Sequence, residues 1–365
     1  MHFLYCEQIR QLVHLIQHNF SPGPAVLTKE VFDQGAQALV NYNESGLSIA
    51  EISHRSTTFE SLLKETTKLV TDLYKIPSYF EVIWVPGGAS SQLAIAPMNL
   101  LKEGESMAFM ESGYWAKKAI AATKEIRAVE ILASSSENKY KKLPELKISK
   151  SRSKYLHLSS NETIEGLQYS NYPNIGIPLV LDMTSDFLAR EIPFERVAVA
   201  FASAQKNFGI AGITCVLVNK NYLLDEKDLN IPSIFNYRTH ILNKSLYHTL
   251  PTFPLYMSLL ALRWIKNKGG IQQMQANAIK RSTLLYNVID DHPKLKSVAL
   301  KDRSKMNICF KTNTTAEEEQ LKTLFKRNNI IGINGFPTIG GFRASMYNFM
   351  PMESVELLCK TLIEF

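Results

Sequence analysis

Cysteine is scarce in this 365-residue chain: Cys6, Cys215, Cys309 and Cys359 are the only four, and none forms a C-x-x-C pair. Such spacing speaks against a zinc site or a disulfide framework, so no metal is expected and a reducing compartment fits. Long apolar runs are missing as well, and none approaches the ~18–20 residues that cross a bilayer. The first 18 residues carry Glu7, Arg10 and three histidines, the wrong mixture for a signal peptide. Charge of one sign is also in short supply. Forty-one Lys and Arg against 34 Asp and Glu leave +7 spread along the chain, which is no nucleic-acid footprint. Repeats and low-complexity tracts are absent. What remains, 45% hydrophobic and 21% charged, is the composition of a globular chain with enough core to fold without staples. A cytoplasmic enzyme, with no membrane and no nucleic-acid partner, is the expectation.

Residues 1–18 read as a short amphipathic helix, with Ile9, Leu12, Val13 and Ile16 at helical spacing, ahead of the breaker-rich Asn19–Pro24. Apolar strands are expected at Glu81–Val85, Met107–Met110, Pro178–Leu181, Val197–Ala202 and Ile213–Val218. Helical patterns cover 57–75 and the stretch after Pro86-Gly87-Gly88 to about Leu101. Strands alternating with helices predict an α/β domain with a large, mostly parallel sheet, whose ligands lie at the carboxyl ends of the strands. After Pro254 the pattern changes. One long helical stretch (Leu255–Ile289), strands near Val298 and Met306–Lys311, and helices at 315–328 and 351–365 suggest a smaller α+β domain. The expected division is therefore an extension at 1–18, a large domain at 19–254 and a small one at 255–365. Lys139–Lys154 holds seven Lys/Arg against Glu145 and reads as a solvated loop, with only Tyr140 and Tyr155 as stacking platforms.

Three elements carry chemistry. Lys206 follows a strand of small and apolar residues, in Ala204-Gln205-Lys206-Asn207-Phe208-Gly209, where desolvation favours an imine-forming amine. Asp182 ends another strand, where a carboxylate can hold a protonated pyridine nitrogen. Pro86-Gly87-Gly88-Ala89-Ser90-Ser91 joins a strand to a helix, and such a helix N-terminus with serine hydroxyls suits a phosphate. Each alone reads more readily as a solvated lysine, a turn aspartate or an ordinary glycine turn. In this order they are the set that pyridoxal phosphate requires. Trp115, in Gly113-Tyr114-Trp115, is an aromatic for the cofactor ring or a core tryptophan. Thr163 is a hydrogen-bonding group for a cofactor oxygen or a turn cap. Arg343, in a glycine turn, suits a bidentate grip on a carboxylate, and His54-Arg55 is a second cationic site.

Around these residues the chain resembles the phosphoserine aminotransferase family of fold-type I, class V pyridoxal-phosphate enzymes. The likeness runs from Asn19-Phe20-Ser21-Pro22-Gly23-Pro24-Ala25 to Met350-Pro351. It rests on Glu51–Ser56, Gly87–Ser90, Pro97–Leu101, Gly113–Trp115, Asn161–Gly166, Asp182–Asp186, Ala204–Asn207 and Gly341–Asn348. The resemblance implies a pyridoxal 5'-phosphate-dependent transaminase of serine biosynthesis, exchanging an amino group between O-phospho-L-serine and 2-oxoglutarate. It also implies a homodimer with shared active sites. Lys206 would link to the cofactor and move the proton of the 1,3-shift, Asp182 would meet the pyridine nitrogen and Trp115 would stack. Ala89, Ser90, Thr163 and Gln205 would hold cofactor polar groups, with His248 and Thr249 reaching the phosphate from the other subunit. Arg343 would bind the substrate α-carboxylate, and the partner's copies of His54 and Arg55 the distal anion.

Two departures stand out. His248-Thr249-Leu250-Pro251-Thr252 replaces the family's Asn-Thr-Pro-Pro-Thr, and a histidine still donates to phosphate. Phe336-Pro337 replaces a His-Arg pair that helps grip the substrate phosphate. Charge-assisted hydrogen bonds contribute ~1.5–3 kcal/mol each, so two losses amount to roughly two to four orders of magnitude in binding. The alternative is an aminotransferase of the same family acting on a small, non-phosphorylated amino acid. A desulfurase-like lyase lacks its mobile-loop cysteine. A basic binding protein using 139–154 is the reading from another class.

Overall fold

The computed structural model describes residues 17–147 and 150–365. Its centre is a seven-stranded sheet: β1 Phe80–Pro86, β2 Ser106–Glu111, β3 Ala128–Ser134, β4 Tyr155–Ser159, β5 Leu179–Asp182, β6 Val197–Ser203 and β7 Ile213–Asn219. The spatial order is β1-β7-β6-β5-β4-β2-β3, with β7 antiparallel to both neighbours and every other pairing parallel. Strands β4, β6 and β7 are buried along their whole length, which is why β6 and β7 are near-continuous apolar runs rather than alternating ones.

Side chains divide by parity between two cores. Leu156, Leu158, Ala200, Ala202, Cys215 and Leu217 face one side, which helices Thr57–Tyr74 and Thr252–Asn267 cover. Phe109, Val199, Phe201 and Val216 face the other, under helices Gln92–Leu100 and Tyr114–Lys124. His157 lies between Phe109 and Phe201, and burial drives its pKa down to about 3. It is a neutral ring in the core. Helix Thr57–Tyr74 shows how local signals set an element. The Ser56 hydroxyl accepts from Phe59 N–H at 3.2 Å, apolar residues recur every third or fourth position, and Lys75 closes the helix at φ +52°.

A second, three-stranded sheet joins Leu295–Ser297, Asn307–Thr312 and Phe342–Ser345. Its core gathers Phe20 with residues from Leu285 to Phe365, while Leu255–Met274 packs into the large core. The division by packing thus lies inside helix Gly270–Asp291 rather than at Pro254, and it takes Phe20 with the small unit. The expected helix at 1–18 falls almost wholly on residues outside those described; His18 pairs as a strand with Ile330. The single helix expected over Leu255–Ile289 is two, Thr252–Asn267 and Gly270–Asp291. Gly269 and Gly270, at φ +98° and +67°, adopt a left-handed turn that the helical pattern runs straight through. Helix Lys29–Val40 and strands β3 and β4 have no counterpart among the expected elements. In the basic segment the Tyr140 hydroxyl donates to Glu111, and Tyr155 is buried against Tyr222.

Candidate active site

A cavity of about 310 Å³ opens at the carboxyl ends of β4, β5 and β6. Adjacent strands deliver its two principal groups. Asp182 closes β5 in register with Phe201 of β6, and four residues beyond β6's Ala202 comes Lys206. Backbone contacts lock both. Ser160 N–H donates to the Asp182 carbonyl at 3.0 Å, and Thr184 N–H donates to Asp182 Oδ1 at 3.0 Å. Ala25 N–H donates to the Gln205 carbonyl at 2.8 Å, while the Ser203 hydroxyl donates to Gln205 Oε1. Gly23, at φ +131°, lies against the lysine stem: a Cβ there would meet Lys206 Cγ at 3.3 Å. Burial raises the Asp182 pKa above the ordinary carboxylate value, opposed by Thr184 and by the ammonium of Lys206. A carboxyl in that position favours a cation brought against it.

The aromatic wall is Trp115, with Lys206 Nζ 5.5 Å from its ring centroid. Its indole N–H donates to Thr163 Oγ1 at 2.9 Å and its backbone N–H to Glu162 Oε2 at 2.9 Å. Across the cavity stands Arg343, 7% exposed, whose Nη1 donates to the Thr163 carbonyl at 3.4 Å while Nε has no partner. A buried guanidinium with a free donor in a cavity is fitted for an incoming carboxylate. Phe336 forms part of the wall, its ring 5.2 Å from that of Tyr114. Gly88, Ala89 and Ser90 edge the cavity where Ala89–Ser91 turns into helix Gln92–Leu100.

Residues 17–358 match the family Aminotransferase class-V. The chain belongs to this family. It is 39% identical to the phosphoserine aminotransferase of Flavobacterium psychrophilum over 95% of its length and 98% of the relative's. Its identity with the Bacillus subtilis phosphoserine aminotransferase is 37%, over 95% and 97%. Among solved structures, phosphoserine aminotransferase from Bacillus circulans subsp. alkalophilus superposes with a TM-score of 0.91 at 35% identity, covering 96% of this chain and 98% of that one. The pyridoxal phosphate-bound enzyme from Trichomonas vaginalis gives 0.90 at 31%, over 95% and 100%. These relatives carry the phosphoserine name across the full length, so they do not favour the non-phosphorylated alternative.

Members of class V are pyridoxal phosphate-dependent transaminases with the fold-type I architecture, and this cavity suits that cofactor. It is large enough for the group. It also presents a half-buried carboxyl, an amine over an aromatic face, and a short turn rich in small residues at a helix start. Of the residues singled out in the sequence, Ala89, Ser90, Trp115, Thr163, Asp182, Gln205, Lys206 and Arg343 line it together. His54, Arg55, His248 and Thr249 do not. His54 Nε2 lies 3.4 Å from Thr249 Oγ1, away from the cavity, and His248 lines a neighbouring hollow with Gln92, Tyr237 and His240. Sequence reasoning passed over Ser159, Asn161, Thr184 and Ser185, which also line it. Register was the usable signal for Ser159, which sits directly opposite Asp182 in the β4–β5 pairing.

Proposed function

We propose that the protein is a phosphoserine aminotransferase, exchanging an amino group between O-phospho-L-serine and 2-oxoglutarate to give 3-phosphooxypyruvate and L-glutamate. The observation that carries this reading is the joint placement of Lys206, Asp182, Trp115 and Arg343 around one cavity. Bound pyridoxal phosphate supplies an electron sink for the pair released at the substrate Cα. The chain's own groups do the rest. Asp182, already short of a cation, holds the ring-nitrogen proton. Trp115 confines the ring from one face, its indole fixed by Thr163. Lys206 Nζ would take the proton from Cα and return it two atoms away, completing the 1,3-shift, a general acid–base step of the kind that accelerates by about 10²–10⁴. Arg343 orients the substrate by its α-carboxylate, so that the Cα–H bond faces the amine. Ala89, Ser90 and Gln205 hold cofactor polar groups.

The second substrate anion needs cations that this cavity lacks within one chain, since Phe336 occupies the wall beside Tyr114. We place the partner's copies of His54 and Arg55 there, with those of His248 and Thr249 at the cofactor phosphate, in a cytoplasmic homodimer. That these four residues stand outside the cavity of their own chain supports the dimer. The test is a steady-state assay of glutamate formation from O-phosphoserine and 2-oxoglutarate. Turnover dependent on both substrates is expected. Its absence from a preparation that binds the cofactor would overturn the assignment.

A further inference from the structure

Helix Tyr114–Lys124 begins with three N–H groups that its own first turn cannot satisfy. Two side chains of one short hairpin take all three. Glu162 Oε2 accepts from Trp115 N–H, and its Oε1 from Ala116 N–H, both at 2.9 Å; Oε1 also accepts from the Ser112 hydroxyl at 3.0 Å. Glu165 Oε1 accepts from Tyr114 N–H at 2.9 Å, and its Oε2 is buried without a partner. Glu162 is wholly buried and Glu165 is 4% exposed. Between them, the tip of the same hairpin holds the Trp115 indole by the Thr163 hydroxyl and Arg343 by the Thr163 carbonyl. Burying two carboxyls side by side is costly, and burial raises both pKa values, with Glu165 adding to the rise at Glu162. Capping a helix needs only one small polar side chain.

We propose that Glu162 is a positioning residue that sets the Trp115 ring against the cofactor, and that the Asn161–Gly166 hairpin ties this ring to Arg343. The proposal rests on the reading that Trp115 stacks on the cofactor. Its physical basis is the count of acceptors. Glu162 accepts three hydrogen bonds, and a glutamine cannot: its amide group must face either Trp115 N–H or Ala116 N–H, donor against donor. Glu165 accepts one, so its glutamine keeps that bond.

The experiment titrates pyridoxal phosphate into cofactor-free wild type, E162Q, E165Q, W115F and E162Q/W115F, following binding by visible circular dichroism. E162Q should weaken cofactor binding about tenfold, the scale of one buried N–H left without an acceptor, and should change the dichroism of the bound state. E165Q should stay within about twofold of wild type, because its single hydrogen bond survives. The double variant should bind as W115F does, because the effect of Glu162 passes through Trp115. Wild-type affinity and dichroism in E162Q, or a tenfold loss that persists in full on the W115F background, overturns the proposal. Should E162Q fail to fold, S112A removes one donor and leaves the carboxylate, with about a threefold loss that vanishes beside W115F. No loss in S112A then counts against the proposal. Phosphoserine turnover by the wild type on the same preparation tests the functional reading separately.

Discussion

Lys206 and Asp182 follow strands buried almost to their last residue, whereas Phe336 belongs to a partly exposed connection between Ile331 and Phe342. The first wall of the cavity is held by sheet register and by backbone bonds from Ala25, Ser160 and Thr184. The second is a glycine-containing loop that delivers an apolar ring. A wall built on strand ends has its backbone fixed by the sheet, so its groups are held in place for the reaction. A wall built on a loop can change a side chain at little cost to the fold, so it defines which substrate fits.

Substitutions on the two walls should separate accordingly. The largest effect is expected from K206A. It should lower turnover by about 10⁴-fold or more, because the nucleophile and the proton carrier are lost together, and should leave the folded structure intact by circular dichroism. A K206A protein with residual turnover near wild type would break the distinction at its root.

D182N comes next, and it carries a sign. Removing one partner of a desolvated ion pair costs ~3–5 kcal/mol, so cofactor affinity should fall by roughly two to three and a half orders of magnitude in an equilibrium titration. The cofactor-free protein should behave in the opposite way. Burial raises the Asp182 pKa, so the native state holds this proton more tightly than the unfolded chain, and the group's contribution to stability is lost as pH rises through its folded pKa. D182N cannot ionise and should flatten that part of a denaturation-versus-pH curve.

Arg343 lies on the buried strand Phe342–Ser345, just beyond the loop and its glycine turn; R343K keeps the charge but not the planar fork, and should raise KM for both amino-acid substrates by about tenfold with a smaller change in kcat. An effect of similar size, on the loop wall itself, sharpens the comparison most. F336H/P337R restores two donors to the loop wall and should improve kcat/KM for O-phosphoserine by roughly tenfold, with cofactor affinity unchanged. If that pair instead alters cofactor binding, the two walls are not independent.

The same contrast explains what was legible in the sequence. Buried strands announce themselves as apolar runs, so β1, β2, β5, β6 and β7 were read to within a residue or two, and Asp182 and Lys206 with them. Edge strand β3 escaped because its residues are at most half-buried and follow no clean alternation. Strand β4 escaped because His157, in the middle of Tyr155-Leu156-His157-Leu158-Ser159, looks polar until the ring is seen between two phenylalanines. Ser159 and Ser185 were hidden for another reason: strand register sets Ser159 opposite Asp182, and the turn after β5 brings Ser185 to the cavity. Phe336 was legible only as a departure from a resemblance. Nothing in its own neighbourhood in the sequence marks it as a wall residue, and its contact with Tyr114 is made across more than 200 residues of chain.

The most direct test is the half-reaction. Holoenzyme is mixed separately with O-phosphoserine and with glutamate, and loss of the visible cofactor band is followed against concentration. Conversion by both amino acids with comparable efficiency is the result this account predicts. Conversion by glutamate alone, or by a non-phosphorylated amino acid in preference to O-phosphoserine, would contradict it.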